Sequence, residues 1–346
     1  MRWGFTAVSL FFLAAATGAE LTYRVKRPLG LIEPDIPIGR PLTAAVVDLG
    51  GRLFFETRLS ASGKTSCASC HNPASGFADS KAASIRDDGS FTNRRTQSVL
   101  NAGYLPTTMW DGKYRSLEEQ VFDTFRVGGD MGQPVEDAVA QIRSDADYQN
   151  AFRRAFGTKE VTAKRLTEAI AQYERSLTSG DSPFDHYVFG GDRTALTVDQ
   201  VKGLDVFSLR GGCLNCHDVF HPQFNPLGGG TALFTDFRFH NLGVGYKFGR
   251  FRDVGRFSIT RDPSDLGAFR TPSLRNVAQR APYMHDGSLK TLEDVVEFYD
   301  KGGTPNPNLS PSIRPIFLTS EEKRFLVEFL RALSSPAVVE AARSAN

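Results

Sequence analysis

Four cysteines and two histidines in this chain stand in a pattern that can do chemistry. Cys67-Ala68-Ser69-Cys70-His71 and Cys213-Leu214-Asn215-Cys216-His217 both read C-x-x-C-H, and together they use every cysteine of the 346 residues. Two thiols three positions apart in a tight turn can each add to one vinyl group of the same porphyrin. The histidine that follows then offers a nitrogen to the iron. Zinc sites also use C-x-x-C pairs, but zinc has no need of a histidine directly after each second cysteine. The pattern therefore implies two covalently bound haem c groups, attached through Cys67, Cys70, Cys213 and Cys216, with His71 and His217 as proximal ligands. His186, His221 and His240 belong to no such pattern and read as structural or exposed side chains.

The elements that carry these motifs are legible as helices. Ala44 to Thr57 places Val46, Leu49, Leu53 and Phe54 on one helical face just ahead of the first motif. Ser116 with Glu119 forms a capping box before a helix containing Leu117, Val121 and Phe125. The spacing predicts further helices over 135–156 and 162–177. Thr197 with Gln200 opens a helix leading into the second motif, and Thr319 with Glu322 opens the last one, through Leu333. Glu20 to Pro41 reads as an irregular lead-in, and Ser182-Pro183 to Thr194 as the join between halves. Strand signals are few, chiefly Phe234 to Phe239. The expected fold is mainly α with few short strands: two c-type cytochrome-like haem domains, residues 20–186 and 187–346, a division the chain length also favours.

Arg2, the apolar run Trp3 to Leu13 and the small residues Ala14 to Ala19 have the order of a secretory signal peptide over residues 1–19. The run is short for a bilayer span. Its cleavage would leave a soluble periplasmic protein, in the compartment where c-type haems are matured. A formal net charge of +2 gives no basic footprint for nucleic acid and none for a membrane surface.

The two halves repeat each other. Arg95-Thr96-Gln97-Ser98-Val99-Leu100-Asn101 matches Arg270-Thr271-Pro272-Ser273-Leu274-Arg275-Asn276, Met109-Trp110-Asp111-Gly112 matches Met284-His285-Asp286-Gly287, and Ser116-Leu117-Glu118-Glu119 matches Thr291-Leu292-Glu293-Asp294. All three keep an offset of 175, whereas the haem motifs are 146 apart, so the second half carries an insertion of 29 residues that includes Gly228-Gly229-Gly230. The same offset sets Thr124 against Tyr299. A tyrosine has the reach and the phenolic oxygen to bind iron; a threonine is a poor ligand. The repeat thus predicts unequal irons, the second closed by His217 and Tyr299 and the first open opposite His71. A buried tyrosine that merely hydrogen-bonds is the plainer reading of Tyr299.

With these residues in view, the chain resembles the bacterial diheme cytochrome c peroxidase and MauG superfamily. The resemblance rests on CASCH, MWDG with LEEQ after it, SPFDHY, CLNCH, RTPSLRN and APYMHDGSLKTLEDVVEFY, and it spans nearly all of the chain after the leader. It implies that Tyr299 stands where typical peroxidases carry an axial methionine, as in MauG-like members. Typical peroxidases also carry a distal histidine after the first haem. Between His71 and His186 this chain has none, so the first haem is expected to be open without reductive activation.

The resemblance also assigns roles. Gln120 matches the family's distal glutamine and lies one helical turn before Thr124. The family's distal glutamate, a proton-transfer group, falls on Asp130; a turn aspartate between glycines is the alternative. Trp110 matches a tryptophan that relays electrons between the haems, against ordinary core packing. Met109 and Met284 read as packing beside better candidates, and His285 as a residue near the second haem. Arg275 is a candidate partner for a haem propionate. Family members hold calcium between the haems through an asparagine side chain and backbone carbonyls. That asparagine position is Arg95 here, a poor substitute ligand, which leaves the carbonyls of Arg280 and Pro282 and makes calcium an open question.

Three functions follow. One is a peroxidase that reduces hydrogen peroxide with electrons from a small periplasmic cytochrome c or cupredoxin. Another is a MauG-like enzyme that uses peroxide to oxidise residues of a protein substrate, a reading Tyr299 favours because an anionic oxygen ligand suits iron in higher oxidation states. The third, an electron-transfer cytochrome without catalysis, fits poorly with an open iron.

Overall fold

A computed structural model describes residues 23–338 apart from 26, 35, 40, 41 and 220–231. The proposed signal peptide (1–19), His221 and Gly228-Gly229-Gly230 lie outside the described residues. Among the described residues no helix is long and apolar enough to cross a membrane.

Helix α1 (Ala44–Phe54) begins at Thr43, whose hydroxyl accepts from the Val46 amide, and turns Val46, Leu49, Leu53 and Phe54 inward. The short α2 (Cys67–Cys70) contains the first haem motif. Helix α3 (Leu117–Thr124) is capped by the Ser116 hydroxyl, but the expected capping box is only half formed, because the Glu119 carboxylate accepts from the Arg115 amide rather than that of Ser116. The stretch 135–156 is not one helix but two, α4 (Val135–Ile142) and α5 (Ala146–Phe156): the carboxylate of Asp145 accepts from the amides of Asp147 and Tyr148 and starts a new helix. Helix α6 (Ala163–Ser176) packs back across α1. The first core lies between them, with Leu49, Leu53, Phe54, Leu166 and Ile170 fully buried.

The segment expected to be a plain join contains a helix, α7 (Pro183–Val188), with a Ser182–Asp185 capping box. Its Phe184 packs on Phe234 and Phe329 in the second core, so α7 straddles the expected boundary at 186 but sits with the second half. Helix α8 (Val198–Asp205) runs through a π turn into the second haem motif. After the short α9 (Phe257–Thr260) come α10 (Leu292–Asp300), with a Thr291–Asp294 capping box, and α11 (Ser320–Arg331), with the expected Thr319–Glu322 box.

The strand expected at Phe234 to Phe239 forms later. Phe234 and Phe237 have φ of 56° and 57°, outside the extended region, so the ladder begins only at Phe239. Strand β1 (Phe239–Asn241) pairs antiparallel with β4 (Ala268–Arg270), in the register Phe239–Arg270 and His240–Phe269. A small hairpin of β2 (Tyr246–Lys247) and β3 (Arg250–Phe251) fills part of the insertion.

The sequence repeat is also a repeat of structure. The α1–α6 crossing is so close that a Cβ on Gly50 would come 1.9 Å from the Ala169 carbonyl oxygen; at the α8–α11 crossing, Gly203 meets the Phe325 carbonyl at 2.0 Å. The bridge Thr108–Tyr114 recurs as Tyr283–Leu289. Met109 and Met284 share left-handed φ values of 68° and 69°.

Candidate functional site

Two cavities sit where the repeat places the motifs. The first, of about 1110 Å³, is lined by His71, Gln120, Thr124, Asp130, Glu174 and Trp110 among others. The second, of about 370 Å³, is lined by Cys213, Cys216, His217, His240, Met284 and Tyr299 among others. Trp110, Arg270 and His285 line both and stand between them.

The motif residues fit a covalent haem. No disulfide joins any of the four cysteines, which leaves each thiol available to a haem vinyl group. His71 Nδ1 lies 3.2 Å from the Phe77 carbonyl and His217 Nδ1 2.9 Å from the Phe234 carbonyl. A carbonyl can only accept, so each Nδ1 carries the proton and each Nε2 keeps a lone pair for iron. Burial pushes both imidazoles below the usual histidine range, which keeps them neutral and ligand-ready.

The equivalent helices α3 and α10 present unequal residues. Thr124 lines the first cavity, and its hydroxyl donates to the Val121 carbonyl at 2.6 Å. Tyr299 lines the second, and its hydroxyl makes no hydrogen bond with a described residue. Burial raises the Tyr299 phenol above its ordinary range, so it ionises only with a cation in that cavity.

Between the cavities Trp110 donates from Nε1 to the Arg95 carbonyl at 2.8 Å. The Arg270 amide donates to the Trp110 carbonyl at 2.8 Å, tying strand β4 to the Trp110 main chain. His285 stacks on Phe269 with centroids 3.6 Å apart and meets the Trp110 ring edge-on at 6.5 Å. Burial pushes its imidazole down to about 4, so it is neutral at pH 7. Met109 lines the first cavity and Met284 the second.

Asp130 reaches the first cavity from the loop between Gly128 and Gly132, both at positive φ. Its carboxylate is half-exposed and accepts from Arg86 Nε at 3.3 Å. Gln120 lines the same cavity from α3.

Arg275 corrects the sequence expectation. It is fully enclosed and saturated by protein: Nε donates to the Ala232 carbonyl at 2.6 Å, and Nη1 and Nη2 grip both oxygens of buried Asp185, with Ser182 alongside. A guanidinium so engaged has no fork left for a propionate. Three other arginines, the buried Arg95 and Arg270 and the partly buried Arg280, form no ion pair with a described residue, and desolvation pushes each down to about 10. Arg270 lines both cavities.

Sequence reasoning also missed Glu174 and His240. Glu174 falls on the apolar stripe of α6 with Leu166 and Ile170, a signal that was readable; it is 4% exposed and its Oε2 has no hydrogen-bond partner among the described residues. His240, expected to be partnerless, lines the second cavity. Its Nε2 lies 2.8 Å from Asp236 four residues earlier, a pairing that raises the imidazole to about 10 and holds it protonated. His186 is exposed, as expected.

Residues 44–193 match the family described as di-haem cytochrome c peroxidase. The chain is 36% identical over 93% of its length to a methylamine utilization protein MauG of Methylorubrum extorquens, covering 86% of that protein. It belongs to the di-haem cytochrome c peroxidase and MauG family. Family membership makes it a haem-iron oxidoreductase acting on peroxide, with two c-type haems. A cytochrome-c peroxidase IdrP1 of Pseudomonas sp. is 33% identical over 95% of this chain and 90% of that protein. Among solved structures, a MauG-like protein associated with microbial copper homeostasis superposes with a TM-score of 0.82 at 32% identity, covering 92% of this chain and 97% of that one. Helices α3 and α10, with Thr124 and Tyr299, are therefore seen within the family's own fold.

Proposed function

We propose that this family member is a periplasmic MauG-like diheme peroxidase: an open first haem would supply the site for hydrogen peroxide, and a second haem, which His217 and Tyr299 would hold, would supply the electron relay. The observation that carries it is the unequal pair, Tyr299 facing the second cavity and Thr124 the first. When bound, the haems supply the two-electron redox chemistry by which peroxide becomes two waters.

The chain's own residues do the rest. His71 and His217 would hold the two irons through Nε2. Gln120 orients peroxide by its amide, and the Asp130 carboxylate takes a proton from one peroxide oxygen and returns it to the departing one. Its shorter reach than a glutamate calls for a relaying water or a closer loop. Trp110, fixed at its Nε1, offers an oxidisable ring between the two cavities. Electrons come from a small cytochrome c or cupredoxin in the conventional reading, or from residues of a protein substrate in the MauG-like one.

Mixing the diferric protein with peroxide, with and without reduced cytochrome c, separates these. The proposal expects long-lived spectral changes at both haems without donor and slow turnover with it. Rapid donor turnover would instead favour a conventional peroxidase. Absence of any peroxide-induced change would leave an electron-transfer cytochrome.

A further inference from the structure

Arg95 is buried at the border of the two halves, 6% exposed and without an ion pair among the described residues. Its Nη2 donates to the carbonyl oxygens of Asp79 at 2.9 Å and Arg280 at 2.7 Å, and its Nη1 to that of Thr96 at 3.2 Å. Asp79 belongs to the first half and Arg280 to the second, so one planar cation draws backbone dipoles from both sides. The main chain of the same residue adds two more ties: its amide donates to the His285 carbonyl at 2.7 Å, and its carbonyl accepts from Trp110 Nε1.

This is the position at which the family resemblance puts a calcium ligand, and the Arg280 carbonyl is one of the two that the sequence left for the ion. The residues present do not fit calcium. That ion needs six to eight oxygens. Here a guanidinium stands in place of the asparagine's side-chain oxygen, the Arg280 carbonyl already accepts its charged N–H, and a fixed positive charge would repel a divalent ion. What a bound cation would supply is nonetheless present: positive charge beside the first cavity and a cross-link between halves.

We propose that the Arg95 guanidinium is the resident cation of this position, a positioning residue that joins the Asp79 and Arg280 carbonyls and seats Trp110, and that it excludes calcium. The inference depends on the two haem cavities and not on which iron is open, so it stands or falls separately from the MauG-like reading.

The test is metal content and spectroscopy of the holoprotein purified in the presence of calcium. Wild type is expected to hold far less than one calcium per chain, and its haem absorbance and electron paramagnetic resonance are expected to stay unchanged on adding EGTA or calcium. Arg95→Lys, which keeps the charge, should behave alike. Arg95→Asn should gain saturable calcium binding, about tenfold or more tighter than wild type by isothermal titration, with EGTA then altering the haem spectra. Stoichiometric calcium in wild type, lost to EGTA with a spectral change, would overturn the proposal. So would an Arg95→Asn protein that carries both haems and takes up no calcium. Should Arg95→Asn fail to fold, the wild-type measurement decides alone.

Discussion

At the scale of single residues, the site is defined by which polar atoms are already satisfied. The Thr124 hydroxyl is taken by its own helix, whereas that of Tyr299 is left for whatever fills the second cavity. Asp130 is half-exposed and leans on Arg86, a position from which a carboxylate can exchange protons with solvent as well as with a bound peroxide. Replacing Asp130 with Asn is expected to slow peroxide-driven oxidation by about a hundredfold or more, as read by stopped-flow absorbance. An unchanged rate would remove Asp130 from the mechanism. Glu174 makes a different prediction. Burial, with Glu118 adding to it and Arg175 opposing, raises its carboxyl from 4.5 to about 8, so the folded protein holds a proton that the unfolded chain releases. Its stabilising contribution is thus complete below about pH 4.5 and is lost as pH rises through about 8. Glu174→Gln, which stays neutral, should flatten that decline in denaturation midpoints measured across this range; a slope identical to wild type would mean that Glu174 does not hold the proton.

At the scale of elements, each half is built on one helix crossing that only glycine permits. Gly50→Ala forces a methyl against the Ala169 carbonyl, and Gly203→Ala does the same at Phe325. Each is expected to cost about 1–3 kcal/mol of stability, checked by chemical denaturation; a neutral result would mean that the crossing can open. Local chemistry made these elements legible. The caps at Ser116, Thr197 and Thr319 and the stripe of α1 are short-range patterns, and each appears where the spacing places it. The apolar stripe hid the break at Asp145 because it continues across α4 and α5. The Phe-rich run at 234–239 looked like a strand because side-chain type says nothing about the positive φ that Phe234 and Phe237 adopt. Contacts made across long separations were unreadable: Asp185 captures Arg275 from 90 residues away, and Arg95 reaches Arg280 across 185. Arg270 gained its place on both cavities the same way.

At the scale of the whole molecule, a duplicated unit carries two unequal sites. The repeat shows in the crossing glycines, the paired bridges and the histidine–carbonyl bonds, and the insertion in the second half adds the β2–β3 hairpin without disturbing them. Trp110, His285 and Arg270 then join the cavities, a placement from which the proposed relay between the two irons would run. Duplication alone would give two equivalent carriers; the exchange of threonine for tyrosine at one repeated position is what would make a catalyst and its relay. Electron paramagnetic resonance of the resting ferric holoprotein tests this most directly, because one spectrum reports both irons. The account predicts one high-spin centre with an open sixth position and one low-spin centre with histidine and phenolate ligands. Two low-spin centres, each with nitrogen or sulfur axial pairs, would contradict it.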